Sequence, residues 1–388
     1  MKKNQQLHTS VVFDIDSASV AVSLLSYQRG NTIPEHEIFT KRIILEQFNV
    51  EDFFAETLRA IDLLGMEAIQ KSPSPVESIY VVVGAPWATS QKKIIHYERL
   101  HDFVLTPEIV EEALAKEDSD SLSRNLDFHN FENLQVFERV TTNIHVQGYP
   151  SLHPYEVKTK IKNFDVHRLV SVISSSSYQA INDTIERVFQ REPIFVSNTL
   201  ISWMTIQKYF PHLQDTMFLD IGGTNTQVYL IEQDHLKEIA VFPVGMSHIL
   251  QELTERLAVG KQEARSLLKL YTQSVLEPEY QQKISKVMKE VFTIWYKKLF
   301  EVTDQLSKKK LLPSTWTFIA PRDIESWLSF HLLQEDGLST HIKTRSSVEL
   351  INISSALNSI SKEKGFGHIQ DTEMVPIADV IGTYIFKD

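Results

Sequence analysis

The sequence predicts an α/β protein of two related lobes with a further subdomain inserted in the first. Three observations predict it. Apolar strands, a helix and another strand open the chain over residues 11–83, which is an α/β beginning. A hairpin pattern of apolar strand, Asp-Ile, small or polar turn and apolar strand occurs at Asp14-Ile15 and again at Asp220-Ile221, a weak internal repeat 206 positions apart (from 14 to 220). Between the two, over residues 85–168, the pattern departs from both and reads as a subdomain of its own.

Composition agrees with a large globular chain. The 388 residues are 42% apolar and 23% charged, long enough for two to three domains. Thirty-nine Lys and Arg against 50 Asp and Glu leave a net charge of −11. That balance argues against a nucleic-acid surface and against an electrostatic membrane anchor. No cysteine is present, which excludes disulfides, thiol catalysis and Cys-ligated zinc or iron–sulfur sites. The N-terminus has no apolar stretch of signal-peptide length before Asp14, and no run approaches 18 apolar residues. The C-terminal Met374-Val375-Pro376 to Asp388 has no basic face. A cytoplasmic protein without direct membrane insertion is the expectation.

Each element follows from its local pattern. Val11-Val12-Phe13 and Val20 to Leu25 flank a turn at residues 14–19, and Lys41 to Leu45 adds a strand. Phe53, Phe54, Leu58, Ile61, Leu64 and Ile69 mark one face of a helix over 51–70. Ile79 to Val83 is a buried strand stopped by Gly84. Residues 91–104 read as a strand, and Thr106-Pro107 opens a helix with Thr as cap and Pro at its first position. Residues 116–127 read as a loop or frayed helix, 133–147 as strands and 155–163 as helix or strand. Leu169 to Ser174 is read as the strand by which the chain re-enters the first lobe, before a helix (Ile181, Ile185, Val188, Phe189) and the strand Ile194-Phe195-Val196. Met217 to Asp220 and Gln227 to Ile231 form the second hairpin. Residues 247–312 are mostly helical, with Ile284, Val287, Met288, Val291, Phe292, Trp295 and Leu299 as a core stripe. Trp316 to Ala320 is a strand and residues 324–333 a helix. Trp87 looks exposed, and reads as an interface anchor or as packing at the subdomain junction.

The segment Asp220-Ile221-Gly222-Gly223-Thr224-Asn225-Thr226 carries the sharpest chemical signal. Paired glycines at a strand end let backbone N–H groups approach a phosphate with no Cβ in the way, and an Asp before them can face hydrated magnesium. A plain Gly-Gly hairpin turn gives the same sequence. Other constellations fail. There is no His-Glu-x-x-His, Val259-Gly260-Lys261 lacks the upstream Gly of a P-loop, and Gly245-Met246-Ser247 lacks the second Gly of a nucleophile elbow.

Taken with what surrounds it, that segment resembles the phosphate-2 motif of the actin-like ATPase superfamily. Asp14-Ile15-Asp16-Ser17-Ala18-Ser19 then falls where the superfamily has its phosphate-1 loop. Phe242-Pro243-Val244-Gly245-Met246-Ser247-His248-Ile249, with Leu253, Leu257, Glu263-Ala264-Arg265 and Tyr271, resembles the segment after phosphate-2 in the FtsA/PilM family of bacterial cell-division and type IV pilus assembly proteins. Val146-Gln147-Gly148-Tyr149-Pro150, His153-Pro154 and Val170 to Ser174 resemble that family's inserted subdomain 1C, of SHS2 type. Val375-Pro376 and Val380-Ile381-Gly382 resemble its last helix.

The resemblance implies an actin-like two-lobed fold. Lobe 1A would span 1–84 and 169–214 with the helix 374–388, 1C would span 85–168, 2A would span 215–246 and 313–373, and helical subdomain 2B would span 247–312. It also implies ATP with magnesium as the ligand, bound by Asp220, Gly222, Gly223, Thr224, Asn225, Asp14 and Ser17, with Asp14 and Asp220 toward the metal. Three departures point to weak or lost binding. Asp16 stands where the family has Gly, and puts an anion where polyphosphate would sit. Ala320-Pro321-Arg322-Asp323-Ile324 lacks the glycines of the adenosine loop. Arg265 and Leu268 stand at the family's nucleotide-contact positions, with Lys269 one position on. The expectation is a scaffold that joins protein partners to a membrane-associated machine and forms a homo-oligomer or filament through 1C. The FtsA-like division role is put first, with membrane contact through a partner, and a PilM-like pilus adaptor or a slow ATPase as alternatives. Sugar kinases share the Asp-Ile-Gly-Gly-Thr-Asn-Thr motif, but there it opens the chain, and no base can be assigned here.

Overall fold

The computed structural model describes residues 7–28, 34–45, 50–121, 133–151, 153–156, 158–308, 311–334, 348–357, 371 and 374–385. Two five-stranded sheets dominate. The first comprises β1 (Leu7–Ile15), β2 (Ser19–Gln28), β3 (Pro34–Ile44), β4 (Ser78–Val83) and β9 (Ile194–Ser197), in the order β3-β2-β1-β4-β9. The second comprises β10 (Thr216–Ile221), β11 (Thr226–Glu232), β12 (His235–Phe242), β13 (Thr315–Ile319) and β14 (Glu349–Asn352), in the order β12-β11-β10-β13-β14. In each, three antiparallel strands are followed by two parallel ones. The hairpins even share register, with Asp14 opposite Ala21 and Asp220 opposite Gln227. The weak repeat in the sequence is thus a repeat of topology.

The central strands of both sheets, β1, β2, β4, β10 and β11, are covered on both faces, which explains their continuous apolar runs. On β1, Val11, Phe13 and Ile15 pack under α1 (Val50–Lys71) and α3 (Ser175–Phe189). Val12, between them in sequence, faces the opposite side, where α4 (Asn198–Tyr209) and the C-terminal helix α9 (Met374–Ile385) lie. The second sheet repeats the division. Phe218 joins the α4 and α9 layer, while Met217, Leu219 and Ile221 face α5 (Met246–Leu257), α6 (Lys261–Thr272), α7 (Pro278–Ser307) and α8 (Arg322–Gln334). One apolar core through α4 and α9 therefore joins the two sheets, and the anticipated stripe on α7 lies buried against the second.

The third sheet is antiparallel, in the order β5-β8-β6-β7, with β5 (Ala88–Phe103), β6 (Leu134–Val146), β7 (Tyr149–Ser151) and β8 (Ile161–Ser174), and with α2 (Pro107–Ser121) against it. Leu169 to Ser174, expected as the strand that re-enters the first lobe, is instead the second half of β8 and pairs with β5 and β6, so it does not lie in the first sheet. Its apolar residues misled because Ile173 does pack into the first sheet's core, beside Ala88 and Trp87. Trp87 is buried, stacked on Phe53 at 5.3 Å and tilted against Phe54 at 4.9 Å, which makes it junction packing. Residues 116–121 are the end of α2, and 122–127 lie outside the described residues.

Candidate functional site

The equivalent ends of β1 and β10 bring the two hairpin tips face to face. Ser17 and Gly223 hold corresponding positions in the repeat, and they meet. The N–H groups of Gly223 and Thr224 both donate to Ser17 Oγ, at 2.8 and 3.0 Å, and Ser17 is fully buried. Ser17 Oγ in turn donates to Asp16 Oδ1 at 3.3 Å. Gly223 is required for this approach. A Cβ there would stand 2.4 Å from Ala18 Cβ and 2.8 Å from the Ser17 carbonyl group. Behind the tip, the N–H groups of Met246 and Ser247 at the start of α5 donate to the carbonyls of Gly222 and Gly223, at 3.0 and 2.6 Å. Gly245 allows that packing, since its Cβ would lie 2.5 Å from Gly222 O.

Beside the tips, a cleft of about 520 Å³ runs between the sheets, lined by Asp14, Arg42, Asn198, Asp220, Arg265 and Asp371 among others. Its charges are arranged internally. Arg42 donates from Nη1 to Asp14 Oδ2 at 3.3 Å and to Ser19 Oγ at 2.8 Å, and from Nε to Asp371 Oδ2 at 2.9 Å. Asn198 Nδ2 donates to Asp220 Oδ2 at 2.8 Å. Burial pushes the Asp16 carboxyl above its ordinary range, against the opposing pull of the Ser17 backbone N–H and of Arg42. Among the described residues no group of three or more imidazoles and carboxylates is placed to hold a metal.

All seven expected site residues, Asp14, Ser17, Asp220, Gly222, Gly223, Thr224 and Asn225, do gather at this one place. As placed, they do not fit a magnesium-bound polyphosphate. The N–H pair that would hold a phosphate already has Ser17 as its acceptor, and a guanidinium stands beside Asp14. On the adenosine side α8 starts directly after β13, with Pro321 O accepting from the N–H groups of Ile324 and Glu325. On α6, Arg265 lines the cleft, Leu268 lies in the core, and Lys269 faces solvent. Sequence reading missed Arg42, Asn198 and Asp371. Asn198 had a findable signal, because Ser197 caps α4 by accepting from the Leu200 N–H. Lys261, set aside with the failed P-loop, reaches across to donate to Leu45 O at 3.0 Å.

No protein-family model and no curated protein matches the chain. Solved structures do match. A chain of the PilM–PilN type IV pilus biogenesis complex aligns with a TM-score of 0.64 at 12% identity, over 97% of each chain. The fold is that of the actin-like ATPases. The ethanolamine utilization protein EutJ from Carboxydothermus hydrogenoformans aligns at 0.42 and 10% identity, over 88% of this chain and 84% of that one. A Bacteroides thetaiotaomicron protein with an actin-like ATPase fold and unknown function aligns at 0.41 and 11% identity, over 92% and 95%. This actin-like chain has no helix among its described residues that is long and apolar enough to cross a membrane.

Proposed function

We propose that the chain is a PilM-like adaptor, an actin-like protein that binds protein partners of a membrane-associated machine and does not turn over nucleotide. The observation that carries this reading is that the groups expected to hold a nucleotide are paired with one another. Ser17 accepts both N–H groups that a phosphate would need, and Arg42 bridges Asp14 and Asp371 where a magnesium ion would face the carboxylates. An actin-like body whose nucleotide contacts are spent internally keeps its surfaces for protein binding. The likeness along the whole chain to a protein solved with PilN favours the pilus role over the division role. The domain limits, a 1C subdomain at 85–168 and self-association through it belong to the same proposal.

Calorimetry tests it in two titrations. The chain should bind the segment of a PilN-like protein from the same cell that faces it, with equal affinity in the presence and absence of millimolar Mg-ATP. It should give no heat with Mg-ATP alone. Micromolar Mg-ATP binding abolished by Gly223→Asp would instead place phosphate on Gly222, Gly223, Thr224 and Asn225, with Asp14 and Asp220 toward magnesium, and make the chain a nucleotide-switched protein. Absence of any partner heat would sink the adaptor role while leaving the cleft chemistry untouched.

A further inference from the structure

We propose that Ser17 is a built-in stand-in for a nucleotide phosphate, a side chain that latches the two hairpin tips and closes the sheets on each other with no ligand. A serine hydroxyl has one proton to give and two lone pairs to receive with. Here all three are used, with the proton on Asp16 Oδ1 and the lone pairs on the N–H groups of Gly223 and Thr224.

Asp16, an obstacle to a bound polyphosphate, has a use in this arrangement. By accepting the Ser17 proton it turns the hydroxyl's lone pairs toward the opposite hairpin. It lies close enough to matter, since a Cβ on Gly222 would stand 3.3 Å from Asp16 Oδ1 and 3.1 Å from Ser17 Oγ. The glycine pair is therefore explained by the approach of another hairpin, which makes the same steric demand as a phosphate. Both halves of the latch are braced from behind. Asp16 N–H donates to Ser19 O and Leu45 N–H to Ala18 O on one side, while the start of α5 holds Gly222 and Gly223 on the other. Lys261 adds a second bridge between the sheets through Leu45 O. The buried Gly223 N–H is costly to leave without an acceptor, so closure depends on the Ser17 oxygen.

Ser17 is a positioning residue on this account, and the inference stands on hairpin geometry whichever partner the chain serves. The absence of cysteine allows a clean distance measurement. Arg59→Cys on α1 and Lys269→Cys on α6, both exposed, take spin labels on opposite sides of the cleft. In nucleotide-free protein, electron-resonance distances should form one narrow distribution. Ser17→Ala should lengthen and broaden it. A Ser17→Ala distribution as short and narrow as the parent's overturns the latch. Should that variant fail to fold, amide exchange in the unsubstituted chain decides. Gly223 and Thr224 should exchange on the order of a hundredfold or more slower than free loop amides. Exchange at loop rates overturns the proposal.

Discussion

At the scale of single residues, a buried polar oxygen gathers donors from a neighbouring element, as Ser17 Oγ does from the second hairpin. Glu138 on β6 is a second case beside Ser17. Its carboxyl is buried and receives the Ser197 N–H and hydroxyl and the Ser171 hydroxyl, tying the third sheet to the capping residue of α4. Burial raises the Glu138 pKa, and the three donors only partly oppose it. A carboxyl whose folded pKa exceeds the unfolded value near 4.5 stabilises most below that value, and loses its contribution as pH rises through the folded pKa. Glu138→Gln keeps the shape without the titration. The parent should therefore lose stability relative to the variant as pH climbs from about 4.5 toward neutrality, read from unfolding midpoints of both proteins. A constant difference across that range would show that Glu138 does not hold a proton. The sequence marked Gly222 and Gly223 as a place of close approach. It could not say what approaches, because a phosphate and an opposing hairpin make one and the same demand for absent Cβ atoms.

At the scale of elements, what was legible tracked the clarity of the burial pattern. Strands buried on both faces, such as β4 and β10, are short apolar runs and were found. Helices buried on one face, such as α1 and α7, show a period and were found. The helix α4 was not, because it lies between two sheets and is buried nearly all round, with Thr199, Ser202 and Thr205 among its buried positions, so no stripe survives. The edge strands β12 and β14 were missed as well, being half exposed and mixed in composition. On α9 a buried charge does what apolar packing alone does elsewhere. Asp379 accepts from Tyr209 Oη and Lys208 Nζ of α4, each at 2.7 Å, and Tyr27 Oη donates to Ala378 O at 2.9 Å. Asp379→Ala removes the oxygen to which the buried Tyr209 hydroxyl donates, while the half-exposed Lys208 can turn to water. The expected loss is about 1–3 kcal/mol, seen as earlier protease cleavage around α9. Asp379→Asn, which still offers Tyr209 an oxygen, should lose less. Equal cleavage of the parent and Asp379→Ala would mean that apolar packing alone docks the helix.

At the scale of the whole molecule, the two sheets share a core through α4 and α9, and Leu169 of β8, with Val140 of β6 and Ile239 of β12, continues that core to the third sheet beside a cluster of polar groups. There β12 packs on β5 and β6, and three histidines gather: His145 of β6, His167 of β8 and His235 of β12, with Lys92, Lys237, Asp165 and Asp234 facing them. His145 and His167 stack at 4.0 Å between ring centres. Burial, then Lys92, His145 and Lys237, pushes the His167 pKa down to about 4, and burial with Lys237 lowers those of His145 and His235. Folding therefore keeps these rings neutral at a pH where the unfolded chain, with histidine near 6.5, takes up protons. Their stabilising state is present above 6.5 and lost as pH falls toward about 4, the opposite sign to Glu138. His167→Phe preserves a ring against His145 and removes one proton from the balance. Between about pH 6.5 and 4.5 the parent should lose stability faster than the variant, by up to about 1.4 kcal/mol per pH unit. Parallel midpoints over that range would show that His167 takes up its proton in the folded chain as readily as in the unfolded one. The cluster would then carry no pH dependence of its own, and the third sheet would be held to the second by packing alone.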